Sequence, residues 1–120
     1  MGLFSLFKKD TKSVSQNNSV KSFDYFSFKV HGTATIPGAQ DVLKSIGNKL
    51  YEQPRFVLVE LEGDTLNVYL NGKCIGSGDT QARNKFIKHC QNKWNVHSCS
   101  IYGGDDGKNF GCKIRIKYFN

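Results

Sequence analysis

Hydrophobic and polar residues alternate along the C-terminal part of the chain. In residues 111–119, an apolar side chain occupies every second position and basic side chains lie between them. Successive side chains of a β-strand point to opposite faces of a sheet, so this period of two predicts a strand with one buried face. The predicted buried face consists of Cys112, Ile114, Ile116 and Tyr118. The predicted exposed face consists of Lys113, Arg115 and Lys117.

The same period of two predicts a strand over residues 23–35. Aromatic and β-branched residues are enriched there, as is typical of strands, and Gly32 indicates a bend near the far end. We expect the buried face of this strand to contain Phe26, Phe28 and Val30. Its exposed face would contain Tyr25, Ser27, Lys29 and His31.

Short apolar runs separated by turn residues predict further strands in the middle of the chain. Residues 56–61 and 66–70 form one pair, and residues 73–75 form a short return strand. The last two are joined by Asn71-Gly72, which favours a type I′ turn because both residues tolerate a positive φ. Residues 96–102 predict a hairpin partner for the C-terminal strand, across a loop rich in Gly and Asp.

Two segments show the three- and four-residue spacing of an amphipathic helix. The first spans residues 41–50, ahead of Pro54, and the second follows Gly76-Ser77-Gly78 and is capped by Asp79 or Thr80. A loop of this composition can also bind a phosphate through its backbone N–H groups. Asp79 would place a negative charge where the anion sits, which favours a simple loop and cap. The predicted apolar stripe of the second helix contains Ala82, Phe86, Ile87, Cys90 and Trp94.

The predicted elements follow the order β-α-β-β-β-α-β-β. Because most neighbouring strands are linked by short turns, the sheet should be mainly antiparallel. Twisted and partly closed, it becomes a small barrel with two helices outside it, of the α+β class but mainly β. Residues 10–22 contain almost no apolar side chain and cannot offset the entropy of ordering. We therefore predict a flexible segment over residues 1–22 and one folded domain over residues 23–120.

Composition narrows the functional classes. A chain of 120 residues is long enough for one domain with a modest core and too short for a two-domain enzyme. The formal net charge of +7 and the pI near 9.3 favour an anionic partner, with nucleic acid ahead of a membrane. The N-terminal residues lack the pattern of a secretory signal. We expect a cytoplasmic protein with reduced thiols and no membrane span.

A compact group of potential metal ligands occurs near the second helix, at His89, Cys90, His97 and Cys99. Cys90 belongs to the predicted apolar stripe, His97 and Cys99 are predicted to share one strand face, and the usual pair spacing of zinc ligands is absent. The chain also lacks the Gly-x-Ser-x-Gly, Walker and His-Glu-x-x-His motifs. We therefore predict no metal, no cofactor and no catalytic site.

The order of these elements resembles that of the HIRAN domain. The resemblance covers nearly all of residues 23–119 and begins with an alternating strand that ends at Gly32, a helix, and the strand Val57-Leu58-Val59-Glu60. These are followed by Asp64-Thr65-Leu66-Asn67-Val68-Tyr69, Asn71-Gly72-Lys73 and Cys74-Ile75-Gly76, and then by the second helix. The chain departs from the family pattern in its acidic loop, shortened to Leu61-Glu62-Gly63-Asp64, and in having no aromatic residue after Gly76.

The resemblance implies a partly open, OB-like antiparallel barrel that, in helicase-linked family members, binds single-stranded DNA at its 3′ end. Asp64 falls where the family has the Asn before its Ala-Ile pair, and Glu62 falls on the last Asp of the acidic loop. Independently, single-strand binders combine a basic groove with exposed aromatic rings, and the first and last strands would form such a surface if they are adjacent. The predicted nucleic-acid-binding residues are Tyr25, Lys29, His31, Glu62, Asp64, Tyr102, Lys113, Arg115 and Lys117.

Two functions are compatible with these patterns. The first is a non-catalytic module that binds single-stranded DNA or DNA ends. The second is a protein–protein interaction module that keeps the barrel but has lost the DNA pocket, in keeping with the shortened acidic loop. Alternating lysines can also simply solvate an exposed sheet face or protect an edge strand from pairing. Binding through phosphate contacts would weaken steeply as salt rises, whereas an apolar protein interface would not.

Overall fold

A computed structural model of the chain describes residues 22–119. Apart from Ser22, the flexible segment predicted for residues 1–22 lies outside the described residues, as does Asn120. The elements in chain order are the strand β1 (Phe23–Lys29), the helix α1 (Ala39–Ile46), the strands β2 (Lys49–Glu52), β3 (Val57–Glu62), β4 (Thr65–Leu70) and β5 (Lys73–Ser77), the helix α2 (Thr80–His89), the strand β6 (Trp94–Gly103), a 3₁₀ turn (Asp105–Gly107) and the strand β7 (Phe110–Phe119).

The strands form two antiparallel sheets. The first has four strands in the order β1-β7-β6-β2, and the second has three in the order β3-β4-β5. This confirms a mainly β domain with two helices and antiparallel pairing. The predicted C-terminal hairpin is confirmed as well, because β6 pairs with β7 and the buried side chains of β7 are the ones that the alternation predicts. These are Cys112, Ile114, Ile116 and Tyr118.

The element order contains one strand more than predicted. The first helix ends at Ile46 and not at residue 50, because Gly47 adopts a φ of 98° and accepts a hydrogen bond from the Tyr51 hydroxyl at 2.8 Å. Leu50 then belongs to β2, where it pairs with Ser100 of β6. The four-residue spacing between Ile46 and Leu50 suggested one continuous helix, but Leu50 is not helical. Its side chain is 55% exposed.

The two sheets share one hydrophobic core and are joined at one corner. The backbone N–H of His31 donates to Ser77 O at 2.8 Å, and the N–H of Ser77 donates to His31 O at 2.9 Å. The first strand therefore ends at Lys29, with an isolated bridge at His31, and does not run regularly to residue 35. Gly76 makes this approach possible, since a Cβ there would lie 2.2 Å from His31 O. The return strand β5 accordingly extends to Ser77.

Both helices pack on the sheets through a few small and apolar side chains. Ala39 and Leu43 of α1 and Ala82 and Phe86 of α2 are buried. The apolar stripe predicted for α2 is correct only in part, because the helix ends at His89 and Trp94 lies in β6. The core between the sheets contains Phe26, Phe28, Val30, Val59, Leu66, Val68, Leu70, Ile75, Cys99, Ile101, Ile114 and Ile116.

Two local predictions in the middle of the chain are confirmed. Asn71 and Gly72 have φ values of 51° and 79°, as a type I′ turn requires. Asp79 is the N-cap of α2, and its carboxylate accepts a hydrogen bond from the backbone N–H of Ala82 at 2.8 Å. Neither described helix has the length and hydrophobicity needed to cross a bilayer.

Candidate nucleic-acid interface

The outer face of the four-stranded sheet collects most of the predicted basic residues. The first and last strands are adjacent, and their register places Lys29 directly opposite Lys113. In the same register, Tyr25 lies opposite Lys117 and Ser27 opposite Arg115. The alternation in β1 and β7 thus produces one continuous face, because Phe26, Phe28 and the apolar residues of β7 all turn into the core.

The cations of this face interact with aromatic rings. The guanidinium carbon of Arg115 lies 4.4 Å from the centre of the Tyr25 ring, and Lys117 Nζ lies 4.4 Å from the centre of the Phe23 ring. Among residues 22–119, no carboxylate forms a salt bridge with Lys29, Lys113, Arg115 or Lys117. Within the described part of the chain, these four cations therefore have no carboxylate in direct ion-pair contact.

A shallow cavity of about 240 Å³ lies in the middle of this face. Its position follows from the register, since Ser27 and Ser98 flank Arg115 on either side and Ser100 lies opposite Lys113. Hydroxyl groups and cations, which are all hydrogen-bond donors, thus surround one space. We call it the sheet-face groove, and its lining residues are Ser27, Leu50, Ser98, Ser100, Lys113 and Arg115.

An irregularity in β6 adds an imidazole to the same face. The pairing with β7 shifts between Val96 and Ser98, so that His97 is the extra residue of a β-bulge. Its ring lies 4.9 Å from the Tyr25 ring, centre to centre, whereas Cys99 is fully buried. The prediction that His97 and Cys99 share one face was therefore wrong, because the bulge changes the alternation between them.

Tyr102 lies on the outer face beyond the groove. It pairs with Gly111 of β7, and a Cβ at Gly111 would lie 2.4 Å from an atom of the Tyr102 ring. The ring therefore lies over the bare backbone of Gly111, and the side chain is 40% exposed. Partial burial raises the pKa of the Tyr102 hydroxyl, so this group stays protonated at neutral pH.

Two predicted site residues, His31 and Asp64, lie elsewhere. They line a separate cavity of about 340 Å³ beside the start of α2, together with Arg83. Two N–H groups of the loop before α2 are already engaged in backbone hydrogen bonds there. The N–H of Ser77 donates to His31 O, and the N–H of Gly78 donates to Leu66 O at 2.9 Å. The structure thus supports the simple loop and cap, which the sequence favoured.

Glu62 lies on the three-stranded sheet, whereas the basic face belongs to the four-stranded sheet. Its carboxylate accepts hydrogen bonds from Asn67 and from the Tyr69 hydroxyl, the latter at 2.9 Å. The hydrogen bond from Asn67, with that from Tyr69, lowers the pKa of Glu62, and a hydrogen bond with Glu62 raises the pKa of Glu60. The predicted set therefore divides into a basic group on one sheet and acidic residues outside it.

Several residues of the groove were absent from the predicted site. Ser98, Ser100 and Tyr102 are spaced two residues apart, so the alternation already predicted that the two serines lie on the same strand face as Tyr102. No such pattern indicated Leu50, because residues 41–50 were predicted to form one helix. Ser27 lay on the predicted outer face but was not assigned a role.

The cysteines do not form a metal site in the structure. All four are free, and the described residues contain no group of three or more His, Cys, Asp or Glu side chains placed to hold a metal ion. Cys112 is buried, as predicted, and its sulfur lies 3.6 Å from that of Cys99. Cys90, which the sequence placed in the buried apolar stripe of α2, is only half-buried, because it lies at the C-cap of the helix.

The fold and the site together define a small two-sheet domain of the α+β class, mainly β, with a face whose four cations form no salt bridge with the described carboxylates. No family model, no curated protein and no solved structure matches the chain.

Proposed function

We propose that the outer face of the β1-β7-β6-β2 sheet binds single-stranded nucleic acid, with DNA as the expected ligand, and catalyses no reaction on it. The observation that carries this proposal is the direct pairing of Lys29 with Lys113. Like charges placed directly opposite each other in a sheet are destabilising, and no described carboxylate forms a salt bridge with either lysine. A polyanionic ligand would neutralise this face, and counterion release would drive its binding.

The position of β7 within the sheet argues against a purely protective role for its lysines. Lysines that prevent aggregation are found on edge strands, where they discourage pairing with another chain. β7 is an interior strand with β1 on one side and β6 on the other. Lys113, Arg115 and Lys117 therefore guard no free edge, and solvation alone would not require three cations in successive outward positions.

The aromatic side chains of the face suit stacking with bases. Tyr102 covers Gly111 with one side of its ring and is substantially exposed, so a base can stack on the other side. Tyr25 is already in contact with Arg115 and His97, and its main role in this proposal is to hold the guanidinium in place. Stacking on Tyr102 tolerates any base, which fits binding without sequence preference.

We further propose that the domain is a HIRAN-like, partly open OB-like barrel. The antiparallel sheets, the two helices and the Asn71-Gly72 hairpin support this proposal. The divergent acidic residues Glu62 and Asp64 lie off the basic face, so we assign the main contacts to that face and not to them. The four unpaired thiols support a location in the reducing cytoplasm.

The test is a titration of labelled single-stranded DNA at several salt concentrations. The double variant Lys29→Ala with Arg115→Ala removes two cations from the proposed face. Since each phosphate contact contributes about 0.7 to the salt slope of a single strand, the slope should fall by about 1.4. Tyr102→Ala should lose on the order of 1 to 3 kcal/mol of binding free energy if one base stacks there.

The matched control is the double variant Lys85→Ala with Lys88→Ala. It removes the same charge from exposed positions of α2, away from the sheet face. Equal losses in the two double variants would show diffuse attraction and contradict a defined interface. An absence of binding at moderate salt would refute the proposal.

A second candidate function, protein–protein interaction, is favoured by one observation. β3 is an edge strand of its sheet, and Leu58 on it is 51% exposed. A cavity of about 390 Å³ separates β3 from the start of β6, with Trp94 and Val96 in its lining. An extended segment of a partner could pair with such an edge, and the double variant on the basic face should leave this binding unchanged.

A further inference from the structure

We propose that the sheet-face groove binds a terminal phosphate of a single strand, that is, a phosphomonoester at a 5′ or 3′ end. The proposal rests on the proposed function and names the chemical group that the same surface selects. It predicts that the protein distinguishes phosphorylated ends from hydroxyl ends and from internal phosphodiesters.

The donors around the groove exceed what an internal phosphate can use. Arg115 and Lys113 contribute up to eight N–H groups, and Ser27, Ser98 and Ser100 add three hydroxyls. An internal phosphodiester carries one negative charge and offers two non-bridging oxygens. A phosphomonoester carries a charge of about −1.5 to −2 at pH 7 and has three strong acceptor oxygens, so it matches this donor set better.

The register brings these donors to two adjacent rows of the sheet. Arg115 lies between Ser27 and Ser98 in one row, and Lys113 lies beside Ser100 in the next. The two rows are about 7 Å apart along the strand, so both cations can contact one phosphate between them. The Tyr25 ring, 4.4 Å from the guanidinium carbon of Arg115, restricts this side chain before the ligand binds.

The surroundings of the groove favour a chain end. Leu50 forms the wall on the β2 side, and Glu52 of the same strand is the cross-strand neighbour of Ser98. An apolar side chain and a carboxylate both disfavour a phosphate backbone that continues in that direction. Away from β2, Lys29 of β1 and Lys117 of β7 extend the positive face. A strand can therefore leave the groove over β1 and β7, with its terminal phosphate between Lys113 and Arg115.

The experiment compares internally labelled strands of one length and sequence that carry a 5′-phosphate, a 3′-phosphate or hydroxyls at both ends. At least one phosphorylated form should bind about tenfold more tightly than the hydroxyl form, as expected for one additional charge-assisted hydrogen bond. The two phosphorylated arms distinguish the 5′ from the 3′ source. The preference should shrink as the pH falls through about 6, where the monoester loses its second charge.

Two variants separate the groove from the rest of the face. Ser98→Ala with Ser100→Ala should abolish the preference for the phosphorylated end, because it should weaken binding of the phosphorylated form about tenfold more than binding of the hydroxyl form. Lys117→Ala, on the same face but outside the groove lining, should weaken both forms by the same factor. Arg115→Lys keeps the charge but loses the planar donor fork, so it should reduce the preference as well.

The outcomes separate this proposal from the proposed function. Equal affinity of the wild-type protein for phosphorylated and hydroxyl ends would overturn the terminal-phosphate proposal and leave single-strand binding intact. A preference that survives the double serine variant would place the phosphate outside the groove and overturn it too. Binding of neither form would refute the proposed function and this inference with it.

Discussion

The contact between the two sheets at Gly76 gives the most direct test of the fold. In Gly76→Ala, the added Cβ would lie 2.2 Å from the carbonyl oxygen of His31 and 2.7 Å from Val30 Cγ1. The first is a backbone atom of the opposing segment, and the second belongs to a side chain that is only 2% exposed. Neither can move away without separating the corner where the sheets join.

The expected loss of stability follows from the bonds at this corner. The two backbone hydrogen bonds between His31 and Ser77 contribute about 1 kcal/mol each. Displacing packed core atoms adds about 1 to 3 kcal/mol. Gly76→Ala should therefore lower the free energy of unfolding by about 3 to 5 kcal/mol, which is a large part of the 5 to 15 kcal/mol typical of a domain.

The assay is equilibrium unfolding in denaturant, followed by the fluorescence of Trp94, the single tryptophan of the chain. Gly63→Ala is the matched control, because Gly63 has a φ of 63° but no atom within 4 Å of the position that a Cβ would take. It should cost only the left-handed conformation, about 1 to 2 kcal/mol. If Gly76→Ala proved no more destabilising than Gly63→Ala, the close approach of the two sheets would be refuted.

Further predictions concern the cap of α2 and the thiols. Asp79→Ala removes the acceptor for the Ala82 N–H and should cost about 1 kcal/mol of stability, whereas Asp79→Asn should retain most of it; equal unfolding free energies for all three proteins would contradict this role. Thiol titration without reductant should count four free thiols in denaturant and leave the buried Cys99 and Cys112 unreacted in the native state; a count of two or none would show disulfides. Burial raises the pKa of Cys90 to about 11, so its native labelling should be slow at pH 8 and accelerate as the pH approaches 11; fast labelling at pH 8 would be inconsistent with that burial.

The alternation of side chains predicted the faces of the long strands. In β7, the period of two continues over the whole strand, and the burial of alternate residues matches it. In β1, the same pattern holds to Lys29, and the short turn between β6 and β7 leaves the other edge of β7 open to β1. Periodicity was sufficient there because one face of each strand packs against the core and fixes the register.

The elements that the sequence did not predict depend on tertiary contacts. β2 has four residues, and its central side chain Leu50 is exposed, so no hydrophobic pattern marks the strand. It exists because β6 offers a partner at Ser98–Ile101. The bulge at His97 likewise lies in a strand that pairs with both β7 and β2. The pairing of β6 with β2 and the bulge at His97 are therefore not indicated by any pattern in the sequence of residues 94–103.

Only part of the candidate site could be predicted from the sequence. The prediction succeeded where alternation placed a residue on the outer face of its strand and that strand pairs with another basic strand. The basic residues of β1 and β7 belong to one surface because their strands pair. Glu62 and Asp64 were assigned by the order of elements along the chain, and linear order does not specify which sheet a residue joins. The serines of the groove have no charge and no unusual spacing, and their significance depends on the register that places them beside Lys113 and Arg115.

The pairing of Lys29 with Lys113 is a local conflict in an otherwise consistent structure. The Asp79 cap, the Asn71-Gly72 turn and the buried face of β7 all agree with the fold, and departures from such consistency are expected at functional sites. A carboxylate at position 29 would relieve the repulsion and would fit the strand equally well in shape. The sequence instead places a second cation there, next to a groove of hydroxyl donors. The repulsion between the two lysines has a physical explanation if the face binds an anion, because the ligand supplies the salt-bridge partner that neither lysine has among the described residues.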